Sequence, residues 1–212
     1  MLKIISLESV DSTHKYIKEH LKNKTLMPPC AVVADIQTAG MGSRDNSWDS
    51  LEGNFFLSFA IEIKRLPKDL RLESASIYFA YLLKDVLAEF GSSVWLKWPN
   101  DFYIKDMKIG GMITNVMGGI VVCGVGINIS KAPDMFGVLD IKISKQILLQ
   151  KYLQKIKKNI LWKQVFSKYK LEFYTNHKFF THNNNQKISL SDAVLQEDGS
   201  ILCGSERIYS RR

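Results

Sequence analysis

The run Leu96–Met112, LKWPNDFYIKDMKIGGM, constrains this chain more than any other stretch. Val94-Trp95-Leu96 reads as a β-run that stops at Trp98-Pro99-Asn100-Asp101. Proline fixes φ and has no N–H to donate, and Asn and Asp bond their own backbone. A second strand, Phe102-Tyr103-Ile104, a polar turn at Lys105-Asp106 and a third strand from Lys108 to Ile113 follow. The segment therefore folds as a turn and hairpin that gather Lys97, Asp101 and Lys108. Gly110 and Gly111 beside Lys108 bare the backbone to a close ligand. Cations beside open backbone suit an anionic small molecule better than a core.

Around this run, Leu2–Leu7 reads as a strand and Asp11-Ser12-Thr13 as N-cap residues of a helix to about Asn23. Ser12 and Thr13 serve either as caps or as groups holding a polar ligand. Ala31–Ile36 is a short strand. Gln37–Asn54 is an aperiodic loop of the kind that binds ligands, and it carries one large aromatic, Trp48. That ring either stacks on a planar ligand or docks on the protein's own surface. Phe55–Ile63 reads as an apolar strand and Leu70–Phe90 as a helix ended by Gly91. Ile113–Met117 and Ile120–Val125 pair through Gly118-Gly119, and glycines recur in Gly124-Val125-Gly126-Ile127-Asn128. Lys131–Ile143 is loop. Ser144 caps a long helical segment to about Tyr174, with a possible break. His182-Asn183-Asn184-Asn185 reads as a linker, and Lys187–Arg212 as all-β with a turn at Asp198-Gly199. The expectation is an α/β main domain, residues 1–182, and a small β module, residues 183–212.

A net charge of +8, from 29 basic and 21 acidic residues, fits nucleic acid, nucleotides or an acidic protein without choosing among them. Many of the lysines fall in Lys145–Lys170, a solvated helix face. A non-catalytic nucleic-acid-binding protein is the reading from another class, and no helix-turn-helix, zinc finger or aromatic RNA-binding motif is legible for it. No apolar run approaches the ~18–20 residues of a membrane helix, and the N-terminal apolar stretch is too short for a signal peptide. The expected compartment is the cytoplasm. Cys30, Cys123 and Cys203 read as buried thiols, with neither disulfide nor zinc spacing. The four histidines form no metal or triad pattern.

Taken together, the motifs resemble biotin protein ligases of the short type, which lack an N-terminal DNA-binding domain. The family's KWPND stands at Lys97–Asp101, its Lys-x-x-Gly at Lys108–Gly111 and its GxGIN-like strand end at Gly124–Asn128. Its early DST(N) element is Asp11-Ser12-Thr13, with His14 in the Asn place. Its GRGRRGRxW-like loop after a Gln runs from Gln37 to Trp48. The resemblance implies an α+β fold: a mixed or antiparallel sheet with packed helices, like the class II aminoacyl-tRNA synthetase core, and an SH3-like C-terminal domain. It also implies that the biotin carboxylate attacks Mg·ATP to give biotinyl-5'-AMP, whose acyl group passes to a lysine of a biotin carboxyl carrier protein, as in acetyl-CoA carboxylase. ATP, biotin and Mg²⁺ are the small molecules implied, with no protein metal site, no DNA, no membrane, and a monomer or homodimer.

On the same resemblance Lys108 bridges carboxylate and α-phosphate, and Asp101 orients or deprotonates the acceptor lysine. Ser12, Thr13, His14, Gln37, Gly40, Met41, Gly42, Ser43, Lys108, Gly111 and Gly126 would hold biotin. Arg44, Trp48, Lys97, Asn100, Lys108 and Asn128 would hold ATP or the adenylate, although Lys97 is equally readable as a structural ion-pair partner. Met41, Ser43 and Asn46 stand where the family has arginine, and only Arg44 remains of that run. Guanidinium forks hold carboxylate and phosphate bidentately, so weaker retention of the adenylate, or a substitute cation, is expected. A lipoate–protein ligase is the nearest enzyme alternative.

Overall fold

The structure, a computed structural model, describes residues 2–43, 46–183 and 186–210. In chain order it contains β1 (Lys3–Val10), α1 (Thr13–Lys22), β2 (Cys30–Gln37), β3 (Gly40–Met41), β4 (Ser47–Trp48), β5 (Phe55–Glu62), α2 (Ala75–Glu89) and β6 (Trp95–Lys97). There follow β7 (Asp101–Ile104), β8 (Met107–Met117), β9 (Ile120–Ile127), α3 (Lys145–Lys157) and α4 (Trp162–Glu172). The chain closes with β10 (Phe180–Asn183), β11 (Gln186–Ser189), β12 (Val194–Leu195), β13 (Ile201–Cys203) and β14 (Glu206–Ile208). Seven strands form one mixed sheet in the order β1-β2-β5-β9-β8-β7-β6. Among the described residues only β1 and β2 pair in parallel, with α1 as their crossover. The fold is α+β, as expected.

The sheet has two unequal faces, and β5 shows why. Its side chains alternate, so Phe55, Leu57 and Phe59 enter the larger core while Ala60 joins a small cluster under α1 with Ile17, Leu26, Cys30, Val32 and Val122. On the large side α2 lies between the sheet and the outer helices α3 and α4. That position explains why apolar side chains surround α2 on all sides rather than in one stripe. Phe59 meets the rings of Phe79 and Tyr152 edge-on, with centroids 5.1 and 5.9 Å apart.

Three sequence expectations are refined. The segment expected as a helix from Leu70 starts with a 3₁₀ turn, Leu72–Ser74, before α2. The segment after Ser144 is two helices, α3 and α4. Asn159 between them adopts φ +49°, and the Asp69 carboxylate accepts the Trp162 and Lys163 N–H groups at 3.0 Å each, capping α4 from a distant loop. The expected linker starts as strand: His182 and Asn183 belong to β10, which pairs with β11 across the 182/183 boundary. Asn184 and Asn185 lie outside the described residues.

The C-terminal strands share the larger core through Leu190, Ala193, Leu195, Ile201 and Ile208. The turn before β13 supplies two carbonyls to buried indoles: Trp98 Nε1 donates to Gly199 O at 2.8 Å and Trp162 Nε1 to Glu197 O at 2.7 Å. Gly199 has φ +78°, and a Cβ there would stand 2.8 Å from Ser74 Oγ and 3.1 Å from Ile77 Cδ1. Gly199→Ala is therefore expected to lower stability by about 1–3 kcal/mol. Urea unfolding should show an earlier midpoint with an unchanged slope.

Candidate functional site

On the α1 side of the sheet, the N-terminus of α1, the loop after β2, and strands β8 and β9 line an open cleft. At one end Thr13 is held twice by Gln37: its N–H and its hydroxyl donate to Gln37 Oε1 at 2.8 and 3.0 Å. The Gln37 amide donates in turn to Ser50 Oγ at 2.9 Å, which fixes its orientation. Since the Thr13 proton is committed to Gln37, the 2.9 Å contact with Ser58 Oγ has Ser58 donating. Ser58 then keeps lone pairs for the cleft. Ser12, the N-cap of α1, accepts from Lys15 N at 3.5 Å and keeps its proton. The end wall thus offers one hydroxyl that donates and one that accepts.

The other end is ionic. Lys108 Nζ lies 2.8 Å from Asp101 Oδ1, and Lys97 Nζ 3.8 Å from Asp101 Oδ2. Asp101 pairs with Gly111 across β7 and β8, and a Cβ on Gly111 would stand 3.3 Å from Asp101 Oδ1 and 3.8 Å from Lys108 Nζ. The absent side chain keeps the charged groups open to the cleft. Asn100 is buried, and its amide donates to Met112 O, closing the turn that carries Asp101. Between the two ends the floor is Gly124 and Gly126 of β9.

His14 stands beside Thr13 on the wall. Its Nε2 lies 2.7 Å from Asn115 Oδ1 on β8, and a Cβ on Gly124 would stand 2.8 Å from its Nδ1. Burial lowers its pKa to about 4; the Asn115 hydrogen bond works against that shift and the Lys18 charge adds to it. Trp48 lies on the protein's own backbone: a Cβ on Gly126 would stand 2.7 Å from its Nε1, and Phe136 meets the ring edge-on with centroids 6.2 Å apart. Its buried Nε1 finds no hydrogen-bond partner among the described residues.

Of the residues expected from the sequence, Ser12, Thr13, His14, Gln37, Met41, Gly42, Ser43, Trp48, Asn100, Asp101, Lys108, Gly111 and Gly126 line this one cleft. Three others do not. Gly40 is buried in the β3–β4 pairing, where a Cβ would come within 2.5 Å of both Ser50 Oγ and Trp48 O. Lys97 stands behind Asp101, 5.8 Å from the Tyr103 ring centroid. Asn128 is buried in a structural network, donating to Gly137 O at 3.3 Å and accepting from Asn54 Nδ2 at 3.3 Å. Arg44 lies outside the described residues. Sequence reasoning missed Ser58 and Gly124. Ser58 had a signal, a small polar residue in the middle of the apolar run Phe55–Ile61.

Comparison with known proteins fits this geometry. Residues 6–131 match the sequence model described as the biotin/lipoate A/B protein ligase family. This chain belongs to that family. A biotin acetyl-coenzyme A carboxylase synthetase from Helicobacter pylori, solved with bound biotinylated ATP, is 40% identical, covers 99% of this chain and 100% of its own, and superposes with a TM-score of 0.94. A biotin protein ligase from Aquifex aeolicus solved with biotin and ATP is 23% identical with a TM-score of 0.79, covers 98% of this chain and 94% of its own, and supports the fold alone. The bifunctional ligase/repressor BirA of Escherichia coli is 30% identical over 131 residues, 58% of this chain but 40% of that protein. The match thus spans less than half of that curated relative's length.

A base held below its ordinary pKa binds fewer protons in the folded than in the unfolded chain, so stability rises with pH across the gap. For His14 the gap runs from about 4 to 6.5, on the order of 3 kcal/mol at about 1.4 kcal/mol per pH unit. His14→Asn should lose that much less stability than the wild type when denaturation is followed from pH 6.5 down to pH 4.

Proposed function

We propose that this chain is an ATP-dependent biotin–protein ligase. It would join biotin to ATP as biotinyl-5'-AMP, with pyrophosphate leaving, and pass the acyl group to a lysine of a biotin carboxyl carrier domain such as that of acetyl-CoA carboxylase. The observation that carries this reading is the single cleft with a neutral hydrogen-bonding end, a glycine floor and a lysine–carboxylate end. A ureido ring carries a carbonyl and N–H groups, and Ser12 as donor with Ser58 as acceptor complement that pair. The chain's similarity to the Helicobacter pylori synthetase, solved with biotinylated ATP, supports the same assignment.

The first step brings a carboxylate against a polyphosphate, so a cation must offset their repulsion and the charge developing at phosphorus. Lys108 stands at that end beside the bare Gly111 backbone, and is assigned to bridge the carboxylate and the α-phosphate. In the second step the acceptor ammonium must lose its proton before its nitrogen attacks the acyl carbon and AMP leaves. Asp101 already faces two ammonium groups, and the acceptor lysine would come to that carboxylate as a third. Trp48 and Asn100 are assigned to the nucleotide side. Among the described residues no group of three or more His, Cys, Asp or Glu could hold a metal. Mg²⁺ would enter as part of the substrate Mg·ATP, with phosphate oxygens as its main ligands.

No described helix is long and apolar enough to cross a membrane. Burial pushes the Cys30 thiol up to about 11 and the Cys123 thiol well above its ordinary value, so both resist oxidation. A cytoplasmic ligase is the compartmental reading that goes with these thiols.

ATP–pyrophosphate exchange tests the proposal. It should require biotin, fail with lipoate, and fall by at least about 10²-fold in Lys108→Ala. Exchange with lipoate alone moves the assignment to the sister activity, and no exchange with either acid overturns it. Met41 and Ser43 line the cleft where the family carries guanidinium groups. Preformed radiolabelled biotinyl-adenylate should therefore leave the wild type quickly in a filter assay, and Ser43→Arg should slow its loss by about tenfold. Retention for hours by the wild type would sink that expectation.

A further inference from the structure

We infer that His14 and Asn115 act as a positioning pair that fixes the ureido-binding end of the cleft, His14 directing Thr13 and Ser12 from its place on the cleft wall and Asn115 holding His14 from outside the cleft. The inference rests on the biotin reading above and deepens it.

His14 is only 3% exposed, and the protein surrounds both of its ring nitrogens. Nε2 faces Asn115 Oδ1 at 2.7 Å, and Nδ1 is buried against Gly124, without a hydrogen-bond partner among the described residues. An amide oxygen only accepts, so Nε2 carries the proton and Nδ1 is bare. A bare Nδ1 also explains the glycine at 124, because a Cβ there would press on that nitrogen at 2.8 Å.

Its effect is mechanical. The first turn of α1 is pinned on four strands by two consecutive residues. Thr13 reaches Gln37 at the end of β2 and Ser58 on β5, and His14 reaches Asn115 on β8 and rests on Gly124 of β9. Thr13 by itself fixes one side of the turn, and a turn held on one side can roll about the helix axis. The His14–Asn115 bond holds the other side and so fixes the direction of the Ser12 and Thr13 hydroxyls. Asn115 itself is solvent-exposed and outside the cleft lining, so a change there reaches the ligand only through His14.

The test compares wild type, Asn115→Ala, Asn115→Asp and His14→Ala by biotin titration calorimetry and by exchange kinetics, with urea unfolding alongside. Asn115→Ala should weaken biotin about fivefold, the worth of one hydrogen bond, with KM for ATP and kcat unchanged. Asn115→Asp retains an acceptor and should restore wild-type affinity. His14→Ala and the double variant should weaken biotin equally, and ¹⁵N spectra should show an unprotonated Nδ1. Unchanged biotin affinity in Asn115→Ala and His14→Ala overturns the inference, as does a fall in stability or kcat at constant affinity, or a protonated Nδ1. Wild-type protein that binds biotin without exchange would fail the ligase reading and leave this comparison standing. Wild-type protein that does not bind biotin overturns both.

Discussion

The charged end of the cleft depends on how Trp98 is buried. Lysines and a carboxylate gathered at the end of a hairpin attract water, and flexible turns do not hold them in one geometry. Here the turn is anchored by a large ring only 1% exposed. The Trp98 backbone N–H donates to Asn176 Oδ1 at 2.6 Å and its indole to Gly199 O at 2.8 Å. Asn176 follows α4 and Gly199 precedes β13, so two distant parts of the chain hold the residue three positions before Asp101. Leaving either donor unpaired in the core would cost about 1–3 kcal/mol, which makes the turn a rigid mount.

The sheet divides its labour by side-chain parity. Odd-numbered residues of β5 and β9, Phe55 to Phe59 and Val121 to Ile127, enter the large core. Even-numbered residues face α1, and there the sequence turns small or polar at Ser58, Gly124 and Gly126. One strand therefore contributes both to stability and to the cleft floor, and the two demands do not compete for the same positions. At the neutral end Thr13, Gln37, Ser50 and Ser58 are engaged with one another, while Ser12 keeps a proton and Ser58 keeps lone pairs for the cleft.

The sequence made the ionic end legible because Lys97, Asp101 and Lys108 lie within one local hairpin, where turn chemistry and strand pattern suffice. It also made most of the cleft's glycines and hydroxyls legible, through motif spacing. What escaped it was long-range. Nothing in FFLSFAIE says which strand lies beside it, so Ser58 came to the site only through pairing with β9. Asn115 looked like an ordinary strand residue until β8 crossed beneath α1. The break between α3 and α4 depends on Asp69, more than ninety residues upstream of the helix it caps. Asn128 had the right neighbours in sequence and the wrong side of the strand end in space.

The pairing of Trp98 with Gly199 also bears on the order in which the protein is made. A ribosome delivers Lys97, Asp101 and Lys108 long before the carbonyl that satisfies the indole. Until residues near 199 have emerged, the turn carrying the carboxylate lacks one of its two distant anchors. Strands β1 to β9, which precede Gly199 by more than seventy residues, carry the whole seven-stranded sheet, while the charged turn takes one of its anchors from near the end of the chain. A chain clipped before that point would lack both the carbonyl that accepts from the Trp98 indole and the core side chains of Ile201 and Ile208.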